Sequence, residues 1–221
     1  SGSREAEPVA TIGVDGRLGI GDGQGYCVGR PVAAATLKLI PITKGPVAAL
    51  QDLPGSDRAV GELVVSGSHV CRDYVNDPRA FAENKVRDAD GVVWHRMGDT
   101  GYFDSTGRFW LVGRVHTTID RAGVAVHPQI VEQTARADDA RIRRVAAVGM
   151  PDPSLGERVV VVVESDAPDI ASSVRARMGG AGLAPVDALL VTRKPLPLDP
   201  RHNSKVDYQR LREMLTSGQI T

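Results

Sequence analysis

The sequence predicts an α+β protein organised in two units, and three observations carry that reading. Gly and Pro contribute 24 and 14 of the 221 residues while aromatic residues make up only 4%, a balance that favours turns and short strands over a helical bundle. Residues 9 to 113 read as short apolar runs bounded by turn residues, with one brief helical stretch. From Val115 onward, strand-like runs alternate with helical segments. The change of character falls close to Arg114, where the boundary between the units is expected.

Charge and hydropathy exclude several function classes. The 27 acidic and 27 basic side chains cancel, so there is no global pull toward nucleic acid or an anionic membrane. The longest apolar run, Val159 to Val163, is a short buried strand, far below the ~18 residues of a membrane span. Residues 1 to 20 lack a signal-peptide pattern. Cys27 and Cys71 are far apart without metal-ligand spacing, so buried free thiols in a reducing cytoplasm are expected.

The elements follow in order. Val9-Ala10-Thr11-Ile12 is strand-like after a short polar start containing Glu5 and Glu7. Gly21 to Gly25 is a glycine-rich turn cluster, but no strand precedes it as a phosphate-binding loop requires. Ala35 to Ile40 alternates like a half-buried strand closed by Pro41. Gln51 to Ala59 reads as a surface loop, and Val60 to Gly67 as a strand. Asp77-Pro78 starts a helix through Phe81 and Ala82, and Asp88 to Gly91 turns the chain. Past Arg114, Val115 to Ile119 and Val124 to Val126 read as a hairpin around Gly123. Pro128 opens a helix through Ala135. Val145 to Val148 and Arg158 to Glu164 are strands, and Asp169 to Met178 is a helix that Gly179-Gly180 would close with a left-handed cap. A strand at Leu189 to Val191 precedes the polar loop Arg201-His202-Asn203-Ser204-Lys205 and a last helix from Val206 to Leu215.

One stretch carries the chemistry. Trp94 to Asp104 followed by Gly107 to Arg114 reads as strand, tight turn at Gly98, second turn at Ser105-Thr106-Gly107, and strand. Gly98 allows a sharp bend or a close approach to a ligand, and would set the Asp99 carboxylate at a strand end. Arg114 ends the outgoing strand. Two readings stand for the pair. A carboxylate that accepts two hydroxyls beside a planar guanidinium donor suits a polyhydroxylated ligand. On spacing alone, an ordinary β-hairpin with a surface Asp and a structural Arg is the favoured one.

Six ordered stretches resemble the adenylate-forming superfamily, the AMP-dependent synthetases and ligases. Gly2-Ser3-Arg4-Glu5 is similar to its Y-G-x-T-E motif, with Ser1 and Arg4 departing from the Tyr and Thr. Gly61-Glu62-Leu63 through Asp73-Tyr74 resembles the G-E-L…G-Y segment, and Gly98-Asp99 with Tyr102 resembles T-G-D. Gly113-Arg114 with Gly123, Val126, Pro128 and Glu132 is similar to G-R…G-x-x-V-x-P-x-E-x-E. Val148 to Asp152 with Leu155-Gly156-Glu157 is a further familiar stretch, and Asn203-Ser204-Lys205-Val206-Asp207 resembles the terminal N-G-K-x-D.

The resemblance implies that residues 1–113 form the C-terminal part of a large AMP-binding domain, mostly its distorted β-barrel. Residues 114–221 would form a small mobile α+β domain. The family's phosphate loop and most of its acyl pocket lie upstream of Y-G-x-T-E, so a missing N-terminal part of the same enzyme is implied. Roles carry over by position. Glu5 would meet Mg through ATP, since a hard cation takes carboxylate oxygen. Asp99 would accept the ribose hydroxyls of ATP or AMP, Arg114 would hold ribose and phosphate, and Tyr102 would complete the nucleotide site. Lys205 would be the catalytic lysine, reaching the α-phosphate and acyl oxygen, a placement worth ~3 to 4 kcal/mol of barrier lowering. His116, two residues after the G-R arginine, falls where the family has its Asp or Lys hinge.

Finer features resemble the olefin-pathway β-lactone synthetase branch. They are Glu5 to Ala10, Cys27 to Pro31, His95-Arg96-Met97-Gly98-Asp99, and Asp199-Pro200-Arg201-His202-Asn203 ahead of Lys205. That branch activates a long-chain 2-alkyl-3-hydroxy acid as the acyl-adenylate with loss of pyrophosphate, then closes a β-lactone with loss of AMP. The alternatives are a fatty acyl-CoA ligase, a synthetase loading a carrier protein, or, from another class, a non-catalytic module.

Overall fold

In a computed structural model the chain divides into two compact units, Ser1–His116 and Thr117–Thr221. The structure describes residues 5–13, 25–50, 59–180, 185–200 and 205–220. The glycine-rich cluster before Gly25, the loop 51–58, the Gly2-Ser3-Arg4 portion of the first motif and Arg201 to Ser204 lie outside the described residues.

The first unit is a curled antiparallel sheet of seven strands. These are β1 (Ala10–Thr11), β2 (Tyr26–Pro31), β3 (Ala35–Ile40), β4 (Gly61–Gly67), β5 (Lys85–Arg87), β6 (Val93–Phe103) and β7 (Phe109–Arg114), in the order β1-β2-β7-β6-β4-β3 with β5 also on β6. Strand alternation divides the buried side chains of β4 between two clusters. Leu63 and Val65 pack with Val9, Met97 and Phe109, whereas Val64 packs with Ile40, Val86 and Trp94. Helix α1 (Pro78–Asn84) begins where Asp77 caps the Ala80 N–H with proline at the first turn.

β6 organises this unit. Its Thr100 pairs with Glu62 of β4 and with Gly113 of β7, and its His95 pairs with Val65 of β4 and with Lys85 of β5. One edge of β6 therefore carries β4, and the other carries β5 and β7 in succession, with Arg96, Met97 and Gly98 between them. The pairing is held by Arg96, whose guanidinium meets both Glu62 oxygens at 2.9 and 2.7 Å and donates to the carbonyls of Thr43, Gly45 and Glu83. Glu62 and Arg96 are 1% and 7% exposed, so each satisfies a charge that would otherwise be stranded.

The sequence placed a tight turn at Gly98, but β6 runs unbroken through it. Gly98 adopts φ +65° inside the strand, and a register shift follows between Thr100 and Gly101, so the glycine absorbs a local irregularity rather than reversing the chain. The reversal comes at Asp104 to Gly107. There Asp104 accepts from the Thr106 and Arg108 amides, the Arg108 guanidinium and the Trp110 indole. These donors outweigh burial and hold its carboxyl well below the usual range.

The second unit is a five-stranded sheet of β8 (Ile119–Arg121), β9 (Val124–Val126), β10 (Arg144–Asp152), β11 (Gly156–Glu164) and β12 (Ala188–Thr192), with β11 between antiparallel β10 and parallel β12. Its helices are α2 (Pro128–Arg136), α3 (Ile170–Gly180) and α4 (Tyr208–Thr216). The valine run of β11 is buried on both faces, as a central strand covered by helices requires. Val159, Val161 and Val163 pack with Val131 of α2 and Val174 of α3. Val160 and Val162 pack with Leu211 of α4.

Two local expectations are corrected here. Val115 to Thr117 is one 3-10 turn rather than a strand, so the hairpin begins only at Ile119. Gly179 and Gly180 belong to α3 without the left-handed conformation expected of a cap. Cys27 and Cys71 are free thiols, the first buried and the second partly so.

Candidate functional site

In the first unit the register places Asp99 directly opposite Arg114 across β6 and β7. Arg114 ends its strand as the sequence predicted, whereas Asp99 lies inside one. It is also not a surface residue, being 6% exposed. The Arg114 Nε approaches Asp99 Oδ1 to 2.8 Å, with the guanidinium side chain half exposed. Despite that distance Oδ1, although buried, accepts no hydrogen bond. Burial raises the Asp99 carboxyl against the opposing pull of Arg114. The pair therefore combines a desolvated carboxylate oxygen with a partly exposed guanidinium, and a buried acceptor left without a hydrogen bond costs the fold stability.

Gly98 adjoins this pair. A Cβ built there would meet no described atom within 4 Å, so the strand backbone faces open space on that side. The neighbouring hydroxyl of Thr100 is buried without a hydrogen-bond partner. Tyr102 lies farther along β6, 4% exposed, its ring stacked on Trp110 at 6.2 Å between centroids. The structure thus makes Tyr102 part of the hairpin's packed side.

Glu5 lies within a polar cluster drawn from three other segments. Its Oε2 accepts from Lys85 Nζ at 2.7 Å and from the Tyr74 hydroxyl, and stands 3.5 Å from His95 Nδ1. The Lys85 side chain is fully buried, while that of Glu5 is 33% exposed. Lys85 Nζ also reaches His95 Nδ1 at 3.1 Å and lies over the Tyr74 ring at 5.0 Å. Burial, reinforced by the neighbouring ammonium, lowers His95, and the same Nδ1 also stands 3.2 Å from the Asn84 carbonyl oxygen, so the ring tautomer decides which of the two it bonds. Burial alone would raise the Glu5 carboxyl, but the Lys85 and Tyr74 hydrogen bonds outweigh it and keep it ionised. A magnesium ion shared with nucleotide phosphates takes only one or two protein carboxylates. A partly exposed, ionised Glu5 fits that mode. Among the described residues no group of three or more metal-type ligands offers a complete cage.

The structure therefore gathers Asp99 with Arg114 and, through β6, links them to the Glu5 cluster. His95 and Asp99 are four residues apart on this strand, a span of about 13 Å when extended. Lys85 has no signal in the sequence because its partner Glu5 is 80 positions away. Tyr74 was noted only as part of a motif. In the second unit, Lys205 is exposed at a bend before α4. Its carbonyl accepts from the Asp199 amide at 2.9 Å, and Leu198 bridges Val206, so the backbone anchoring Lys205 is fixed. His116 is the last residue of the first unit, within the 3-10 turn.

No family model matches the chain. An olefin β-lactone synthetase of Stenotrophomonas maltophilia is 33% identical over 95% of this chain and 40% of its own length. A 4-chlorobenzoate–CoA ligase of an Arthrobacter species is 41% identical over 47% of this chain and 19% of its own. Among solved structures, an amide bond synthetase variant of Marinactinospora thermotolerans matches with a TM-score of 0.64 and 27% identity, over 86% of this chain and 36% of that one. The chain spans about two fifths of the length of the β-lactone synthetase it matches. In sequence and in fold, it is related over nearly its whole length to the C-terminal portion of the adenylate-forming enzymes, on the branch that includes the olefin β-lactone synthetases.

Proposed function

We propose that this chain is the C-terminal portion of an ATP-dependent ligase. The complete enzyme would activate a long-chain 2-alkyl-3-hydroxy acid as its acyl-adenylate with release of pyrophosphate. The substrate's own 3-hydroxyl would then attack the activated carboxyl, closing a β-lactone with loss of AMP. The observation that carries this reading is the Asp99 carboxylate, buried and yet without a hydrogen bond to Oδ1, beside the half-exposed Arg114. Those two groups would hold the ribose, with Tyr102 packing the strand behind them.

Glu5 would hold the magnesium ion that accompanies ATP. That ion, when bound, neutralises phosphate charge and screens the leaving pyrophosphate. Lys205 would bring a mobile cation to the oxygens where negative charge grows during adenylation. Residues 1–113 would close the large nucleotide-binding domain, and residues 114–221 would be the small mobile domain, pivoting at His116. The phosphate loop and acyl pocket would come from preceding residues of the complete enzyme, so the 221-residue chain alone would be a non-catalytic module.

The 41% identity to a CoA ligase favours one second reading, in which the activated acyl group passes to CoA or to a carrier-protein thiol. Supplying the complete enzyme with ATP and a 2-alkyl-3-hydroxy acid, without CoA, separates the two. Lactone together with AMP and pyrophosphate supports the first reading, and product formed only after CoA or carrier protein is added supports the second. No described helix is long and apolar enough to cross a membrane, which suits an enzyme placed in the cytoplasm.

A further inference from the structure

We infer that Lys85 and Tyr74 are positioning residues for Glu5, fixing by one oxygen the carboxylate that receives the metal-bound nucleotide. The inference rests on the proposed role of Glu5. Its geometry is independent of that role.

A side chain as long as glutamate loses rotamer freedom only when something holds it. Here the donors come from separate parts of the unit. Lys85 opens β5, Tyr74 lies in the segment after β4, and both reach the same Oε2. Lys85 is itself held in place. Its side chain is fully buried, its ammonium stands 3.1 Å from His95 Nδ1 across the β5·β6 pairing, and it sits over the ring of Tyr74. A wholly buried lysine is tolerated only when it is paired and hydrogen-bonded. Here the pairing carboxylate belongs to a side chain that remains 33% exposed. Burying a cation to anchor a half-open anion is a poor way to gain stability, because the desolvation penalty offsets much of the attraction. It is an effective way to hold a ligand-binding carboxylate in one orientation.

Charge and orientation predict opposite outcomes, which makes the inference testable. A neighbouring ammonium repels a divalent cation, so if Lys85 acted through charge alone, removing it would tighten metal binding. If it acts by positioning, removing it loosens metal binding. The experiment uses the complete enzyme without acid substrate and measures ATP affinity by calorimetry across a Mg²⁺ titration and in its absence. Glu5→Gln, Lys85→Met and Tyr74→Phe are compared with the parent. Glu5→Gln should raise the Mg²⁺ concentration for half-maximal enhancement of ATP binding. Lys85→Met and Tyr74→Phe should each raise it about tenfold or more, leaving metal-free ATP affinity unchanged.

If Glu5→Gln leaves the Mg²⁺ dependence unaltered, the reading of Glu5 fails. If Glu5→Gln shifts it while Lys85→Met and Tyr74→Phe do not, or if they lower the Mg²⁺ requirement, the positioning role alone is overturned. Tyr74→Phe removes one hydroxyl and keeps the ring under Lys85, so it carries the test should Lys85→Met fail to fold.

Discussion

Arg114 Nε stands 2.8 Å from Asp99 Oδ1, yet that buried oxygen accepts no hydrogen bond. The two residues are directly opposed in the β6–β7 ladder, which is where a structural pair would be expected to align well. Instead one partner is desolvated and the other is half in solvent. Binding and stability should therefore respond to the same substitution with opposite signs.

Asp99→Asn tests this. Burial raises the Asp99 carboxyl, so its ionised form weakens the fold as pH rises through the folded-state value, and the amide lacks that penalty. Urea unfolding at pH 8 should show the variant as stable as the parent or more so. ATP affinity of the complete enzyme should fall by about tenfold, the loss of a charged hydrogen bond of roughly 1.5 kcal/mol or more. Loss of stability with unchanged ATP affinity would return Asp99 to a structural role.

Gly98→Ala probes the open space beside that pair. No described atom crowds the site, so the cost to the fold is limited to placing alanine at φ +65°, about 1 to 2 kcal/mol. A methyl group in the path of a bound nucleotide should lower ATP affinity more than Asp99→Asn does. Equal ATP affinity in parent and variant would mean that the ligand does not approach this backbone.

Arg96 and Glu62 behave in the opposite way. Their pair is buried and bidentate, so Arg96→Ala leaves a carboxylate stranded beneath the sheet. Stability measured by denaturant should drop by about 3 to 5 kcal/mol. Replacing both with apolar residues of similar volume should recover most of it. A drop below about 1 kcal/mol for the single variant would show that water reaches Glu62.

Glu132 gives the second unit a pH signature. Tyr208 donates to its carboxylate at 2.8 Å and the Ala147 amide at 2.9 Å, but burial dominates and pushes the carboxyl up to about 7 from 4.5. The folded state then binds the proton more tightly than the unfolded one. This contribution is fully present below the unfolded value of 4.5 and is lost as pH rises toward about 7. The unfolding free energy should fall between pH 5 and pH 8 by an amount on the order of 2 kcal/mol, and Glu132→Gln should flatten that dependence. An unchanged slope in the variant would assign the effect to another group.

Local pattern located most of the fold because its signals are short-range. The alternation from Ala35 to Ile40, the Asp77-Pro78 start of α1 and the valine run of β11 each specify an element within a few residues. Gly98 misled because a glycine in a strand reads the same whether it turns the chain or absorbs an irregularity. Only the pairing with β7 decides. Gly179-Gly180 misled for a related reason, since α3 continues through them. At the site, Asp99 and Arg114 were legible as residue types near one another, but the burial that separates a clamp from a surface pair is a tertiary property. Lys85 was invisible for the same reason, since nothing between it and Glu5 in the chain announces their contact.

The most direct test of the account is acid-dependent ATP–pyrophosphate exchange by the complete enzyme and its Lys205→Ala variant, with ATP affinity measured alongside. The account predicts exchange in the parent, a loss of about 100-fold or more in the variant, and ATP affinity retained within about twofold. Full exchange without the Lys205 ammonium would contradict it.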